Sequence, residues 1–477
     1  MLRRTKIVAT LGPASSSQKV LEDMIRAGVD LVRMNFSHGS AEDHMKRAET
    51  VRAAAAAVGR TVGILADLQG PKIRVRKFEN DKIILNKGDA FILDASLDGL
   101  GNQQRVGLDY KELPNDVEVG TVLLLNDGML EFHVTSVKGT EVHCIVVRGG
   151  VLSNNKGINR KGGGLTAPAL TDKDMEDIKT AALIKADYLA VSFPRTGDDM
   201  RLARKLMEEA GGRSMLMAKI ERAEAIPALA DIIDASDAIM VARGDLSVEV
   251  GDAAVPGLQK RMIKMARDKN RLVITATQMM ESMITNPIPT RAEVSDVANA
   301  VLDGTDAVML SAETAVGDYP VETIESMARI CLQAESEIGD QVLGRRGFSE
   351  SFTRIDQSIA IAALFSASHL KVKAIVAMTQ SGSTPLWMSR LNGGVPIFAM
   401  TPVKETLTKV TLYSGVHPIE FHSTAKNQAE ELRFAEKTLM DLGLIKNGDM
   451  VVMTIGEAVG RTGHTNTLKI VCAGVNQ

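Results

Sequence analysis

Residues 215–246 read MLMAKIERAEAIPALADIIDASDAIMVARGDL. Two apolar runs, LMAKIE (216–221) and AIMVARGD (238–245), each close on a cation followed two positions later by a carboxylate: Lys219 with Glu221, Arg243 with Asp245. The runs are continuously apolar rather than alternating, the pattern of parallel strands buried on both faces. They are read as two successive strands of a longer β/α series.

The series extends in both directions. KIVATLG (6–12), DLVRMNF (30–36), VGILADL (62–68) and DYLAVSF (187–193) precede the pair; RLVITATQ (271–278) and DAVMLSAE (306–313) follow it. Helical stretches lie between, among them LEDMIRAG (21–28) and TDKDMEDIKTAALIKA (171–186), with Thr171 as N-cap. Thr290 and Glu293 form a capping box that opens another, and Ala53–Ala57 fits a helix. Eight β/α units in series predict an α/β fold, a (β/α)₈ barrel.

Between Lys72 and about Leu165 the rhythm changes to short β runs with turn signals and no helix, predicting an inserted all-β lid, a small β-barrel. Gly149-Gly150 and Gly162-Gly163-Gly164 bracket its return, as hinges or as plain loops. The stretch 337–354 reads as helix end and linker. Beyond it, runs at 373–382, 395–402, 417–421, 449–456 and 468–474 predict a doubly wound α/β domain. The expected division is 1–70 with 167–340 for the barrel, 71–166 for the insertion and 341–477 for the C-terminal regulatory domain.

Composition narrows the function. The 477 residues carry 56 basic and 59 acidic side chains, a formal net charge of −3, which argues against nucleic-acid binding. Aromatics at 3% leave little for stacking bases. No run approaches the ~20 apolar residues of a membrane span. Cys144, Cys331 and Cys472 are too far apart to suggest a disulfide or metal framework, and the expected setting is the cytoplasm.

The chemistry sits at strand ends, which in a barrel form the active face. Glu221 and Asp245, on neighbouring strands, can converge on one divalent ion. Two carboxylates with open positions suit Mg²⁺, which keeps waters and accepts phosphate ligands. Lys219 beside them suits a phosphoryl group in transit. An ion pair closing a strand is the competing reading of Lys219 and Glu221. Arg33, Asn35 and Ser37 share one face of the second strand and are followed by His38. Arg33 suits a bidentate phosphate grip. Asp67 with Lys72 and Arg74, Thr275 with Thr277 and Gln278, and Ser311 with Glu313 end further strands. Gly244 and Asp245 are expected to place N–H groups near an anion.

TKIVATLGPAS, VRMNFSHG, LADLQGPKIR, KIERAEA, VARGDL, TATQMMESM, PTRAEVSDVANAVLDGTDAVMLSAETAVGDYP and GHTNTLKIV together resemble pyruvate kinase, in its bacterial, type II-like form, over essentially the whole chain. The resemblance implies transfer of phosphate from phosphoenolpyruvate to ADP, giving pyruvate and ATP. It implies Lys219 as the residue stabilising the phosphoryl group, and Glu221 and Asp245 as Mg²⁺ ligands. Arg33 would lie at the substrate phosphate. Gly244, Asp245 and Thr277 would hold the carboxylate end, with Thr277 and Ser311 near the relay that protonates the enolate. Asn35, Ser37, Asp67 and the Leu68 carbonyl match a K⁺ site; Asn35, His38, Arg74 and Lys156 match nucleotide contacts.

Two departures stand out. Potassium-dependent members read GPEIR where this chain reads GPKIR, so Lys72 is expected to replace K⁺ as the positive charge. Ser247 stands where the family usually has glycine, which places a demand on its φ. The loop Thr379, Gln380, Ser381, Gly382, Ser383, Thr384 resembles the family's effector loop without its arginine at position 383, and Arg461 offers a second anion contact. A sugar phosphate or nucleotide monophosphate is the expected effector, and a homotetramer the expected assembly. The alternatives are an aldolase on a related barrel, which needs no nucleotide lid, and a catalytically dead sensor, which would have lost Lys219, Glu221, Asp245 or Thr277. No P-loop or protein-kinase motif set supports another kinase class.

Overall fold

The computed structural model describes residues 2–338, 354–391, 394–456 and 465–475. Eight parallel strands close a barrel: Lys6–Thr10, Leu31–Asn35, Gly63–Asp67, Tyr188–Val191, Met215–Ile220, Ala238–Ala242, Leu272–Ala276 and Ala307–Leu310. Each lies beside its neighbours in sequence, and the first pairs with the last, Lys6 opposite Ala307. Every residue of the first, third, sixth and seventh is buried, which is why their sequences do not alternate.

All eight expected runs are strands, but shorter at their C-terminal ends. The largest correction falls on AIMVARGD. The strand stops at Ala242, and Arg243–Val250 is a helix, so Arg243, Gly244 and Asp245 occupy a first helical turn. A carboxylate in that turn complements the helix dipole. The helix also settles Ser247, which lies inside it and donates to the Gly244 carbonyl at 2.8 Å. The box at Thr290 is present, with Glu293 N–H donating to Thr290 Oγ1 at 3.3 Å. Asp174 N–H likewise donates to Thr171 Oγ1 at 3.2 Å. Ala53–Ala57 lies in helix Ala41–Val58.

By contact density the chain forms two compact units. One holds residues up to 66, 183–188 and from 263 onward; the other holds 67–182 and 189–262.

The second unit contains the insertion. A six-stranded sheet runs in the order Ile158–Arg160, Val122–Leu125, Leu130–Lys138, Glu141–Arg148, Ala90–Asp94, Arg105–Gly107, and a two-stranded ribbon pairs Lys82–Leu85 with Gly150–Ser153. Leu130–Val134 alternates buried with half-buried residues, as a one-sided strand does. Phe91 and Phe132 meet edge to face at 5.7 Å in the core between. The segment was expected to lack helix, yet Leu113–Asp116 forms one turn, set by Pro114 near its start.

The first unit contains the C-terminal sheet, ordered Val416–Glu420, Ile397–Thr401, Ala374–Met378, Met450–Gly456, Thr465–Cys472. Four strands are parallel and the last is antiparallel, Met450 opposite Cys472. The chain steps to one side from Ala374–Met378 and later returns to its other side, the doubly wound arrangement. Helix Gln428–Asp441 buries Leu432, Ala435 and Leu439 against Val376, Met400 and Met453. Within this unit Arg390, on helix Ser383–Leu391, reaches the barrel: its guanidinium clasps the Asp306 carboxylate and donates to the Arg271 carbonyl at 2.8 Å. The expected linker at 337–354 falls almost wholly outside the described residues. No helix among the described residues is long and apolar enough to cross a membrane.

Candidate active site

Lys219 is the next-to-last residue of the fifth barrel strand, and its side chain is buried in an ionic cluster of the second unit. Its ammonium lies 3.0 Å from Glu221 Oε1 and 3.3 Å from Asp67 Oδ1, and donates to Ser192 Oγ at 2.8 Å. Ser192 Oγ donates onward to the Leu68 carbonyl at 2.8 Å. Glu221 Oε2 accepts the Phe193 N–H at 3.0 Å. Lys72 pairs with Asp245 at 3.0 Å.

Three carboxylates thus stand among two ammonium groups. Burial pushes the Glu221 carboxyl above its ordinary range; Lys219 pulls it down, and the charges of Asp245 and Asp67 push it up again. A buried carboxylate crowded by like charge is relieved by a cation. Among the described residues no group of three or more His, Cys, Asp or Glu side chains is arranged to hold a metal. Two carboxylates such as Glu221 and Asp245 would suit Mg²⁺, which keeps waters as ligands, better than a metal needing a full protein cage.

Neither Ser192 nor Phe193 was singled out from sequence. Ser192 is a hydroxyl just past a strand end, the same signal that flagged Ser311. Phe193 has φ +57°, a left-handed conformation rare for a bulky side chain, and it aims the N–H at Glu221. No sequence signal marks that.

The same unit carries the return of the insertion. Gly162, Gly163 and Gly164 have φ of +82°, +81° and +98°. A Cβ on Gly163 would lie 2.5 Å from Glu224 Oε2, and Gly164 N–H donates to Glu224 Oε1. Buried Glu249 accepts the Ala223 N–H at 2.9 Å and Asn159 Nδ2 at 3.4 Å, while its carbonyl accepts Gly162 N–H at 3.0 Å. These glycines are conformationally required. Arg74 and Lys156 lie on neighbouring segments of the second unit, outside its strands: Arg74 forms an isolated bridge with Gly157, and the Lys156 carbonyl accepts Val75 N–H at 2.9 Å.

In the first unit, Arg33, Asn35, His38 and Ser311 line one cavity of about 570 Å³. Arg33 Nη1 donates to Thr10 Oγ1 at 3.2 Å, which in turn donates to the Leu310 carbonyl at 2.8 Å. Asn35 Oδ1 accepts the Ser37 N–H at 3.0 Å. The Ser311 hydroxyl is buried there without a hydrogen-bond partner among the described residues. Glu313, behind it, accepts the Ser311 and Met280 N–H groups at 2.6 and 3.1 Å. Thr277 and Ser37 do not line this cavity. Thr277 has φ +67°, a strained value for a β-branched residue, and donates to the Ala276 carbonyl at 2.6 Å.

The C-terminal loop Thr379–Thr384 follows the strand where the sheet reverses its winding, the place doubly wound sheets use for ligands. Thr379 Oγ1 accepts the Gly382 N–H at 2.9 Å, and Gly382 has φ +81°. The loop leads into helix Ser383–Leu391, whose N-terminus favours an anion. Arg461 lies outside the described residues.

The family model described as pyruvate kinase, barrel domain, matches residues 2–324, and that described as pyruvate kinase, alpha/beta domain, matches 357–471. Pyruvate kinase II of Salmonella typhimurium is 55% identical over 475 residues, 98% of each chain. Pyruvate kinases of Haemophilus influenzae and Staphylococcus haemolyticus are 54% and 40% identical, over 95% and 99% of this chain and 96% and 81% of theirs.

Proposed function

The chain belongs to the pyruvate kinase family and transfers the phosphoryl group of phosphoenolpyruvate to ADP, giving pyruvate and ATP; from that premise we propose that Lys219 meets the phosphoryl group in transit. The observation that carries this reading is the buried Lys219 ammonium, held between Glu221, Asp67 and Ser192. Phosphoryl transfer asks a protein for positioning and charge stabilisation more than for covalent chemistry. A lysine fixed by short contacts does both with little reorganisation.

Glu221 and Asp245 would hold Mg²⁺, which when bound neutralises phosphate charge. Arg33 takes the substrate phosphate. Gly244, Asp245 and Thr277 hold the carboxylate end. Ser311, with a hydroxyl uncommitted among the described residues, and Thr277 serve the proton delivered to the enolate. Asn35, His38, Arg74 and Lys156 contact the nucleotide, and the insertion closes as a lid that excludes water. Asn35, Ser37, Asp67 and the Leu68 carbonyl would form the monovalent-cation locus, and the charge of Lys72, whose ammonium pairs with Asp245, would make K⁺ dispensable.

The proposed domains are 1–70 with 167–340, 71–166 and 341–477. The loop Thr379–Thr384 binds a phosphorylated sugar or nucleotide monophosphate that activates the enzyme, a homotetramer in the cytoplasm. Thr406 Oγ1 donates to the Gln380 carbonyl at 2.6 Å, and the Tyr188 hydroxyl donates to the Lys409 carbonyl at 2.6 Å, so helix Lys404–Lys409 ties the loop to the fourth barrel strand. That tie supports a coupling role.

The test is ATP formation from phosphoenolpyruvate and ADP with Mg²⁺, for wild type and Lys219→Met. Loss of about 10³-fold in kcat with KM for phosphoenolpyruvate little changed supports the assignment. A variant within tenfold of wild type would refute it.

A further inference from the structure

The cavity that holds Arg33, Asn35 and His38 is also lined by a residue to which no role has been given, Arg47. It projects from helix Ala41–Val58, whose position is fixed twice over. Ser40 and Asp43 cap its start reciprocally, and His44 stacks on Phe36 with ring centroids 3.9 Å apart. Arg47 follows His44 by three residues, one turn further along the same side. It is half-buried, and its guanidinium makes no hydrogen bond or ion pair among the described residues. Asp43 exerts some attraction, yet its carboxylate is committed to the Ser40 N–H at 2.9 Å.

The rest of the lining is informative. Leu11, Pro13, Ala315 and Val316 give the cavity an apolar wall. At about 570 Å³ it is in the usual range for a bound small molecule. An apolar wall beside a cationic rim suits a ligand with a flat apolar body and an anionic tail. A nucleoside diphosphate is such a ligand, and its anionic tail would run toward Arg33, the residue assigned to the phosphoenolpyruvate phosphate.

We propose that Arg47 binds the nucleoside diphosphate in this cavity. The inference rests on the nucleotide reading of Asn35 and His38. A guanidinium offers five donors in a planar fork, matched to phosphate or ribose oxygens and able to lie flat on a base. It would act on binding and leave the chemical step alone.

The experiment is steady-state kinetics on full-length Arg47→Ala, Arg47→Lys and His38→Asn, varying ADP and phosphoenolpyruvate separately. The expected result for Arg47→Ala is a KM for ADP raised about tenfold, with kcat and the KM for phosphoenolpyruvate unchanged. Arg47→Lys should fall between it and wild type. If His38→Asn raises the ADP KM and neither Arg47 variant does, the Arg47 assignment is overturned while the nucleotide reading stands. If all three leave the ADP KM unchanged, that reading falls too. A KM for phosphoenolpyruvate raised as much as that for ADP also overturns the proposal.

Discussion

The Lys72 ammonium lies 3.0 Å from Oδ1 of Asp245, a carboxylate that would hold a divalent ion. Lys72 thus pairs with one carboxylate of the charged cluster that also holds Lys219, Glu221 and Asp67.

That placement makes a prediction about monovalent cations. Replacing K⁺ by tetramethylammonium at constant ionic strength should leave wild-type kcat within about twofold. Lys72→Glu reverses the charge, and should lose about 10²-fold in tetramethylammonium while recovering most of its rate in K⁺. A wild type that collapses without K⁺ would end the idea.

Ser192 offers a separate handle on Lys219. Its hydroxyl links the Lys219 ammonium to the Leu68 carbonyl, with both contacts at 2.8 Å. Ser192→Ala removes the bridge but no charge. The expected outcome is a kcat lowered about tenfold, with Ser192→Thr restoring part of it. Purely structural importance would lower the melting temperature and leave kcat per folded molecule unchanged, so the two are measured together.

How the sequence conveyed the fold is clearest at these positions. The eight strands announced themselves because burial on both faces forces continuous apolar runs. Their ends did not, since a run such as AIMVARGD contains no local mark of the turn from strand to helix at Arg243. Lys219, Glu221 and Asp245 were visible as charges at strand ends. Ser192 was passed over because a single serine after an apolar run is common. The N–H of Phe193 could not be seen at all, since it depends on a φ of +57° that no residue type announces. Glu249 was missed for another reason: in sequence it is one acid among many, and only folding buries it beside Glu224.

Glu249 carries the pH prediction. Burial pushes its carboxyl up to about 7, reinforced by the charge of Glu224 and opposed by the Ala223 N–H. In the unfolded chain a glutamate titrates near 4.3. Between those values the folded protein holds the extra proton, so stability falls as pH rises from about 4.3 to about 7 and levels off above. Glu249→Gln keeps an acceptor for Ala223 and cannot ionise. Thermal unfolding from pH 5 to 8.5 should show the variant gaining on wild type across that window, by up to about 3 kcal/mol. Parallel profiles would show that Glu249 does not titrate there.

The Arg390–Asp306 pair tests what joins the C-terminal sheet to its part of the barrel. Both side chains are almost wholly buried, and Asp306 also accepts the Val273 N–H at 2.9 Å. Removing one partner strands a charge in the interior, which costs about 3–5 kcal/mol, whereas neutralising both leaves a smaller deficit. Arg390→Leu should therefore be more destabilising than Arg390→Leu combined with Asp306→Asn, because the amide oxygen still receives the Val273 N–H and no charge remains. Denaturant unfolding of wild type, Arg390→Leu, Asp306→Asn and the double variant decides it. A double variant as unstable as the sum of both single changes would mean the pair contributes through packing rather than through its charges.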